Sequence, residues 1–172
     1  VVTRPAARRP RADLVATFRA MEAARLNTGT SGNASVRLGD GFLITPSGVP
    51  APQLTPDTMV VVGPDGAAEG PLAPSSEWRL HRDVYAAFPE AGAVLHAHAP
   101  FATAVACRRA DLPPFHYMIL RLGGPTVRCA DYATFGTQAL SDAAVAALAG
   151  RRGCLLANHG LVVHGRDLDH AL

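Results

Sequence analysis

Lysine is absent from the chain: all sixteen basic residues are arginine. That excludes a P-loop, whose lysine holds the terminal phosphates, and Schiff-base catalysis by a lysine of this chain. If the protein works on a carbonyl, a metal ion is the expected electrophile. Cysteine is scarce as well. Cys107, Cys129 and Cys154 are an odd number without CxxC spacing, which suits reduced thiols in a cytoplasm. No apolar run reaches the roughly 18 residues that span a bilayer, so no membrane association is expected. The start, VVTRPAARRPR, has basic residues with no hydrophobic stretch after them and no initiator Met; no secretory signal is expected. The net charge is only +2, with much of the excess in the first eleven residues. Residues 1–10 are therefore expected to be a flexible, solvated tail rather than a nucleic-acid-binding arm.

What is present is a globular composition, 48% apolar over 172 residues. That is enough for one domain with a substantial core and too little for two ordinary ones. RADLVATFRAMEAARLN has apolar residues near helical spacing and reads as an amphipathic helix. ASVRL, GDG and FLIT read as a β-hairpin, and MVVVG as a buried strand ending at the turn PDG. SSEWRLHRDVYAAF reads as a helix with Ser75 or Ser76 as its N-cap. A strand follows over AVLHA, then a short helix from about Pro100. PTVRCA is an expected strand, TQALSDAAVAALAG a helix closed by Gly150, and GCLLANHGLVVHG two short strands around ANHG. RDLDHAL begins another helix. The mixture predicts one α/β domain.

The stretch AVLHAHAPFATAVA carries the first chemical signal. On a strand, Val94, His96 and His98 share one face, with Leu95 and Ala97 on the other. Two imidazoles side by side can chelate a metal or be two unrelated histidines. His159, at a strand end before Gly160, is the candidate third ligand. Three nitrogens would leave one coordination position open, as in catalytic zinc sites. His81, His116, His164 and His170 read as structural. Glu77 is the notable carboxylate: it follows two hydroxyls at a helix start, where negative charge is favoured. The same helix start, together with TSGN and PSG, offers amides and hydroxyls that could hold a phosphate without lysine.

Taken together, NTGTSGNASVR, GFLITPSGVP, PSSEWRLH, AVLHAHAPFATAV, HYMI, YATFGT and NHGL resemble the class II aldolase/adducin family, in its order, over about residues 27 to 161. The resemblance implies that residues 11–172 form a single three-layer α/β domain with a mainly antiparallel central sheet flanked by helices. It implies a homotetramer with active sites between subunits. It also implies one zinc ion per chain held by His96, His98 and His159, with Glu77 as resting fourth ligand and catalytic acid/base. Gly32, Asn33, Ser47, Gly48, Ser75 and Ser76 would bind a substrate phosphate, and Tyr117 would reach a neighbour's site and polarise an aldehyde. The implied reaction is the reversible cleavage of L-fuculose 1-phosphate, or a similar ketose 1-phosphate, to dihydroxyacetone phosphate and L-lactaldehyde. Alternatives within the family are a pentulose-5-phosphate 4-epimerase, a thiosugar-phosphate dehydratase, or a non-enzymatic adducin-like interaction module. Epimerases typically carry Asp where Glu77 stands, and interaction modules would be expected to lose ligands. Family aldolases continue past the point corresponding to Leu172 with a helix and a mobile tail that brings a tyrosine to the aldehyde. No counterpart stands here, which leaves either a tail outside this sequence or a different last step.

Overall fold

The computed structural model describes residues 8–172, so residues 1–7 of the expected tail lie outside the described residues. The first helix, α1 (Arg8–Ala23), begins before the expected boundary at residue 11 and buries Leu14, Val15, Phe18 and Met21 along one face. It stops short of the expected end. Arg25 adopts a left-handed φ of 58°, and the amides of Arg25 and Leu26 turn back to the carbonyls of Glu22 (2.8 Å) and Met21 (2.9 Å). This is a Schellman closure, made by an arginine where glycine is usual.

The strands are β1 (Asn33–Leu38), β2 (Gly41–Ile44), β3 (Val60–Val62), β4 (Ala68–Glu69), β5 (Ala93–Ala97), β6 (Cys129–Ala130), β7 (Gly153–Leu156) and β8 (Gly160–Gly165). They form one eight-stranded sheet in the order β4-β3-β2-β1-β5-β8-β7-β6. Every pairing is antiparallel except β6 with β7. The remaining helices are α2 (Trp78–Ala87), α3 (Pro100–Ala106), α4 (Gln138–Leu148) and α5 (Leu168–Ala171). The alternation of side chains along β5 divides the core. Val94 joins Phe42, Ile44, Val162, Leu80, Val84 and Leu140 beneath α2 and α4, while Ala93, Leu95 and Ala97 join Leu14, Phe18, Met21 and Leu43 beneath α1. The result is the expected three-layer domain with a mainly antiparallel sheet. Because β5 lies between β1 and β8 and is buried on both faces, any polar side chain on it must find partners inside the protein.

The structure corrects the sequence reading in several places. Helix α2 starts later than expected: Glu77, not Ser75 or Ser76, occupies the N-cap position. The chain ahead of it is held extended by a bridge between Pro46 and Pro74 and by the Ser75 amide bonded to the Thr45 carbonyl at 3.1 Å. Strand β4 forms in a stretch read as loop, and PTVRCA contributes only the two residues of β6. HYMI opens a short 3-10 helix over Tyr117–Leu122.

Candidate metal centre and active site

His96 and His98 end up beside His159, their ligating nitrogens all within 4.8 Å of one another. His96 belongs to β5, His98 stands one residue past it, and His159 sits in the hairpin between β7 and β8. That hairpin is tight: Asn158 takes a left-handed φ of 55°, which asparagine tolerates better than most residues. The glycine after His159 also has a reason. A Cβ on Gly160 would lie 2.4 Å from the Ala97 carbonyl oxygen and 3.1 Å from the His98 ring, so only glycine lets the hairpin close against the HxH strand.

The nitrogens point inward for identifiable reasons. Nδ1 of His96 donates to the Leu161 carbonyl at 2.9 Å. Its Nε2 therefore faces Nε2 of His98 at 2.9 Å and Oε2 of Glu77 at 3.1 Å. Oε1 of Glu77 lies 3.6 Å from Nε2 of His159 and is buried without any hydrogen-bond partner. Electron-rich atoms converging on so small a volume need positive charge among them, either a shared proton or a metal ion. The donor set fits a divalent ion such as zinc: three imidazoles and a carboxylate, one imidazole already oriented by a backbone carbonyl through its other nitrogen.

Protonation states agree with that fit. Burial alone raises the Glu77 carboxyl, but its hydrogen bond to His96, the electrostatic pull of His96 and His159, and the Asn33 amide outweigh burial and hold it at about 2. Burial and then the neighbouring His96 push His98 down, and the same pair of causes holds His159 at about 4 against the opposite pull of Glu77. At neutral pH Glu77 is a carboxylate and His98 and His159 are neutral, which is what metal ligands require.

The expected phosphate residues lie on three segments joined at the same end of the sheet. Asn33 is paired with His96 across β1 and β5. The Ser47 amide bonds to the Ala73 carbonyl at 3.0 Å, and the Ser75 hydroxyl accepts from the Glu77 amide at 3.3 Å. Ser47, Gly48 and Ser76 are exposed, whereas Ser75 and Asn33 are buried. Asn33 is more occupied than the sequence suggested. Its Nδ2 donates to Oε2 of Glu77 at 3.0 Å and its Oδ1 meets Nε2 of His81 at 2.5 Å. Tyr117 is exposed and touches none of the cluster within one chain; its ring lies against His116.

Sequence reasoning missed two residues here. Asn27, 6% exposed, accepts the His98 amide on its Oδ1 at 3.2 Å. His81, read as structural, is fully buried and belongs to the network behind Glu77. The signal was present: Glu77, His81 and Tyr85 recur every four residues, placing polar groups on the inward face of α2. His164, by contrast, bonds to the Arg151 carbonyl and stacks on Phe88, as a structural histidine would.

Gly32 links the loop to the metal side. Its φ is 73°, and a Cβ there would lie 2.3 Å from Oδ1 of Asn27. Gly32→Ala is expected to cost about 1 kcal/mol or more in urea unfolding. It should also weaken metal binding, because displacing Asn27 frees the His98 backbone. Unchanged stability together with unchanged metal affinity would show that Asn27 does not brace His98.

Residues 12–172 match the family described as the Class II Aldolase and Adducin N-terminal domain. Over 147 residues the chain is 52% identical to a 5-methylthioribulose-1-phosphate/5-deoxyribulose-1-phosphate aldolase of Rhodospirillum rubrum, covering 86% of this chain and 66% of that protein. It is 46% identical over 147 residues to the L-fuculose phosphate aldolase of Escherichia coli K12, covering 86% of this chain and 68% of that one. The chain thus spans about two thirds of the length of these relatives. Among solved structures, an L-fuculose 1-phosphate aldolase superposes with a TM-score of 0.90 at 38% identity, covering 94% of this chain and 77% of its own.

Proposed function

We propose, from the premise that the chain belongs to the class II aldolase and adducin family, that it is a zinc-dependent aldehyde-lyase acting on a ketose 1-phosphate. The observation that carries this reading is the buried, unpartnered Oε1 of Glu77 facing the three-histidine cluster. A non-enzymatic interaction module would have no use for such a carboxylate, and the 4-epimerase reading calls for aspartate there.

Cleaving the C3–C4 bond of a ketose 1-phosphate leaves carbons 1 to 3 as dihydroxyacetone phosphate and the rest as an aldehyde. His96, His98, His159 and, at rest, Glu77 would hold a divalent ion, which would supply a Lewis acid for the negative charge that develops beside the ketone. In condensation Glu77 removes the proton from C3 and the new C4 alkoxide takes one up at the Tyr117 end; in cleavage the C4 hydroxyl gives up its proton there and Glu77 returns one to C3. Gly32, Ser47, Gly48, Ser75 and Ser76 hold the phosphate end, which converts binding into orientation of C3 toward Glu77. Asn33, whose amide is bonded to Glu77 and His81, serves Glu77 instead of the phosphate. Tyr117 from a neighbouring subunit polarises the aldehyde oxygen. The exposure of Tyr117 on a single chain, alongside exposed Phe101, Phe115 and Leu120, supports a homotetramer with shared sites.

L-fuculose 1-phosphate and the 5-deoxy- or 5-methylthioribulose 1-phosphates named for the relatives share everything up to C3. They differ only in the aldehyde: L-lactaldehyde, acetaldehyde or methylthioacetaldehyde. One assay therefore tests the reading. Zinc-loaded protein is mixed with dihydroxyacetone phosphate and each aldehyde in turn, with and without a chelator. Chelator-sensitive condensation with at least one aldehyde is expected, and the preferred one names the substrate. No condensation with any of them would overturn the lyase reading.

The phosphate cradle has its own expectation. Ser75→Ala removes a hydroxyl that can donate to a phosphate oxygen, so KM should rise roughly tenfold to a hundredfold, the worth of a hydrogen bond to a charged group. Equal efficiency on phosphorylated and unphosphorylated ketoses would show the cradle to be wrong.

A further inference from the structure

Behind Glu77 lies a file of buried polar groups that the aldolase chemistry does not itself require. Tyr85 Oη lies 2.8 Å from Ser35 Oγ, and Ser35 Oγ lies 2.6 Å from Nδ1 of His81. Nε2 of His81 lies 2.5 Å from Oδ1 of Asn33, whose Nδ2 is 3.0 Å from Oε2 of Glu77. Ser35 and His81 are fully buried, and Tyr85 and Asn33 nearly so.

Donor and acceptor chemistry fixes the direction of every bond in this file. The Glu77 carboxylate can only accept, so Asn33 must present its NH2 to it and its carbonyl oxygen to His81. An amide oxygen can only accept, so Nε2 of His81 carries a hydrogen. Burial pushes His81 down to about 3, with the neighbouring His96 adding to it against the opposite pull of Glu77, so the ring is neutral. Its Nδ1 is therefore an acceptor. Ser35 must donate to that nitrogen, and its oxygen in turn accepts from Tyr85, whose phenol burial keeps protonated. No bond can be reversed alone. A flipped Asn33 would set its oxygen against the carboxylate and its NH2 against the His81 N–H.

We propose that His81 is a positioning residue for Glu77: through the file Tyr85–Ser35–His81–Asn33 it locks the Asn33 amide, which fixes Oε2 between Asn33 and His96 and holds the unpartnered Oε1 toward His159. For its catalytic half this rests on the aldolase reading; for its metal-binding half it does not. Groups that orient ligands in this way change affinity or activity by roughly 10- to 100-fold when removed.

The test compares wild type, His81→Leu and His81→Gln in kcat, KM and zinc affinity, the last by competition with a chelator. His81→Leu should lower both kcat and zinc affinity by roughly 10- to 100-fold with little change in KM. His81→Gln can still donate to Asn33 and should recover most of both. A rise in KM alone, or equal losses in the two variants, would assign His81 to the phosphate cradle or to packing and overturn the proposal. So would a His81→Leu protein that keeps wild-type kcat and zinc affinity. If wild type turns over no ketose phosphate yet His81→Leu still weakens zinc, the lyase reading fails and the positioning role stands. Should His81→Leu not fold, 15N NMR of the zinc-loaded wild type decides. His81 must be the Nε2–H tautomer; an Nδ1–H tautomer would overturn the file.

Discussion

His96→Ala is expected to yield protein with almost no bound zinc and no turnover. No other ligand is so central. Its Nε2 is within 2.9 Å of His98 and 3.1 Å of Glu77, and its ring centre lies 4.7 Å from that of His159. The ring is fully buried and its orientation is set by the Leu161 carbonyl. Alanine removes a candidate ligand, opens a cavity and takes away the imidazole that bonds to that carbonyl. The loss should therefore exceed that of trimming a solvent-facing histidine. His98→Ala and His159→Ala should follow in the same direction. His164→Ala is the control: its imidazole bonds to Arg151 and stacks on Phe88, so zinc content should stay at about one per chain. Thermal melts give a second readout, since an ion at 100 times its Kd stabilises by about 2.7 kcal/mol. That increment should be present in wild type and missing from His96→Ala. A metal-free preparation with full activity would remove the ion from the chemistry.

The histidine pair was legible because a strand's period of two needs only local sequence, and β5 keeps it: Val94 and His96 on one face, Leu95 and Ala97 on the other. The hairpin of β1 and β2 was legible for the same reason, with its turn residues between two apolar runs. What the sequence hid depends on register between distant segments. Asn33 meets Glu77 and His81 across 44 and 48 residues, and no local pattern encodes that pairing. The start of α2 was misplaced because Ser75 and Ser76 look like caps in isolation; only the pairing of the 45–47 segment with the 73–75 segment holds them extended. Strand β4, two residues long and flanked by Gly and Pro, owes its existence to β3 beside it. The three phosphate segments are legible as Ser/Gly turns and a helix start, whereas the individual residues follow only from the family resemblance. The fold brings their segments together, yet Asn33 is already committed at both ends of its amide.

Glu77→Gln separates a ligand from an acid/base, and its expected result is a metal-loaded but nearly inactive protein. Glutamine keeps the length and polarity of the side chain but cannot take up a proton at neutral pH. His96, His98 and His159 remain, so zinc content should be near normal with weaker affinity. The Asn33 NH2 would still find an oxygen to donate to. Turnover should fall by roughly 10²–10⁴, the usual contribution of a positioned general base. The decisive measurement needs no aldehyde: the exchange of the C3 proton of dihydroxyacetone phosphate with solvent. In Glu77→Gln that exchange should fall together with carbon–carbon bond formation, because in the proposed mechanism both require the proton that Glu77 moves. Tyr117→Phe should divide them. In the proposed mechanism Tyr117 serves the aldehyde end, so condensation would slow while proton exchange at C3 continues at the wild-type rate. If Glu77→Gln exchanged that proton as fast as wild type, Glu77 would be a ligand only and another group would be the base. Its buried, unpartnered Oε1 beside His159 is the physical reason to expect the opposite.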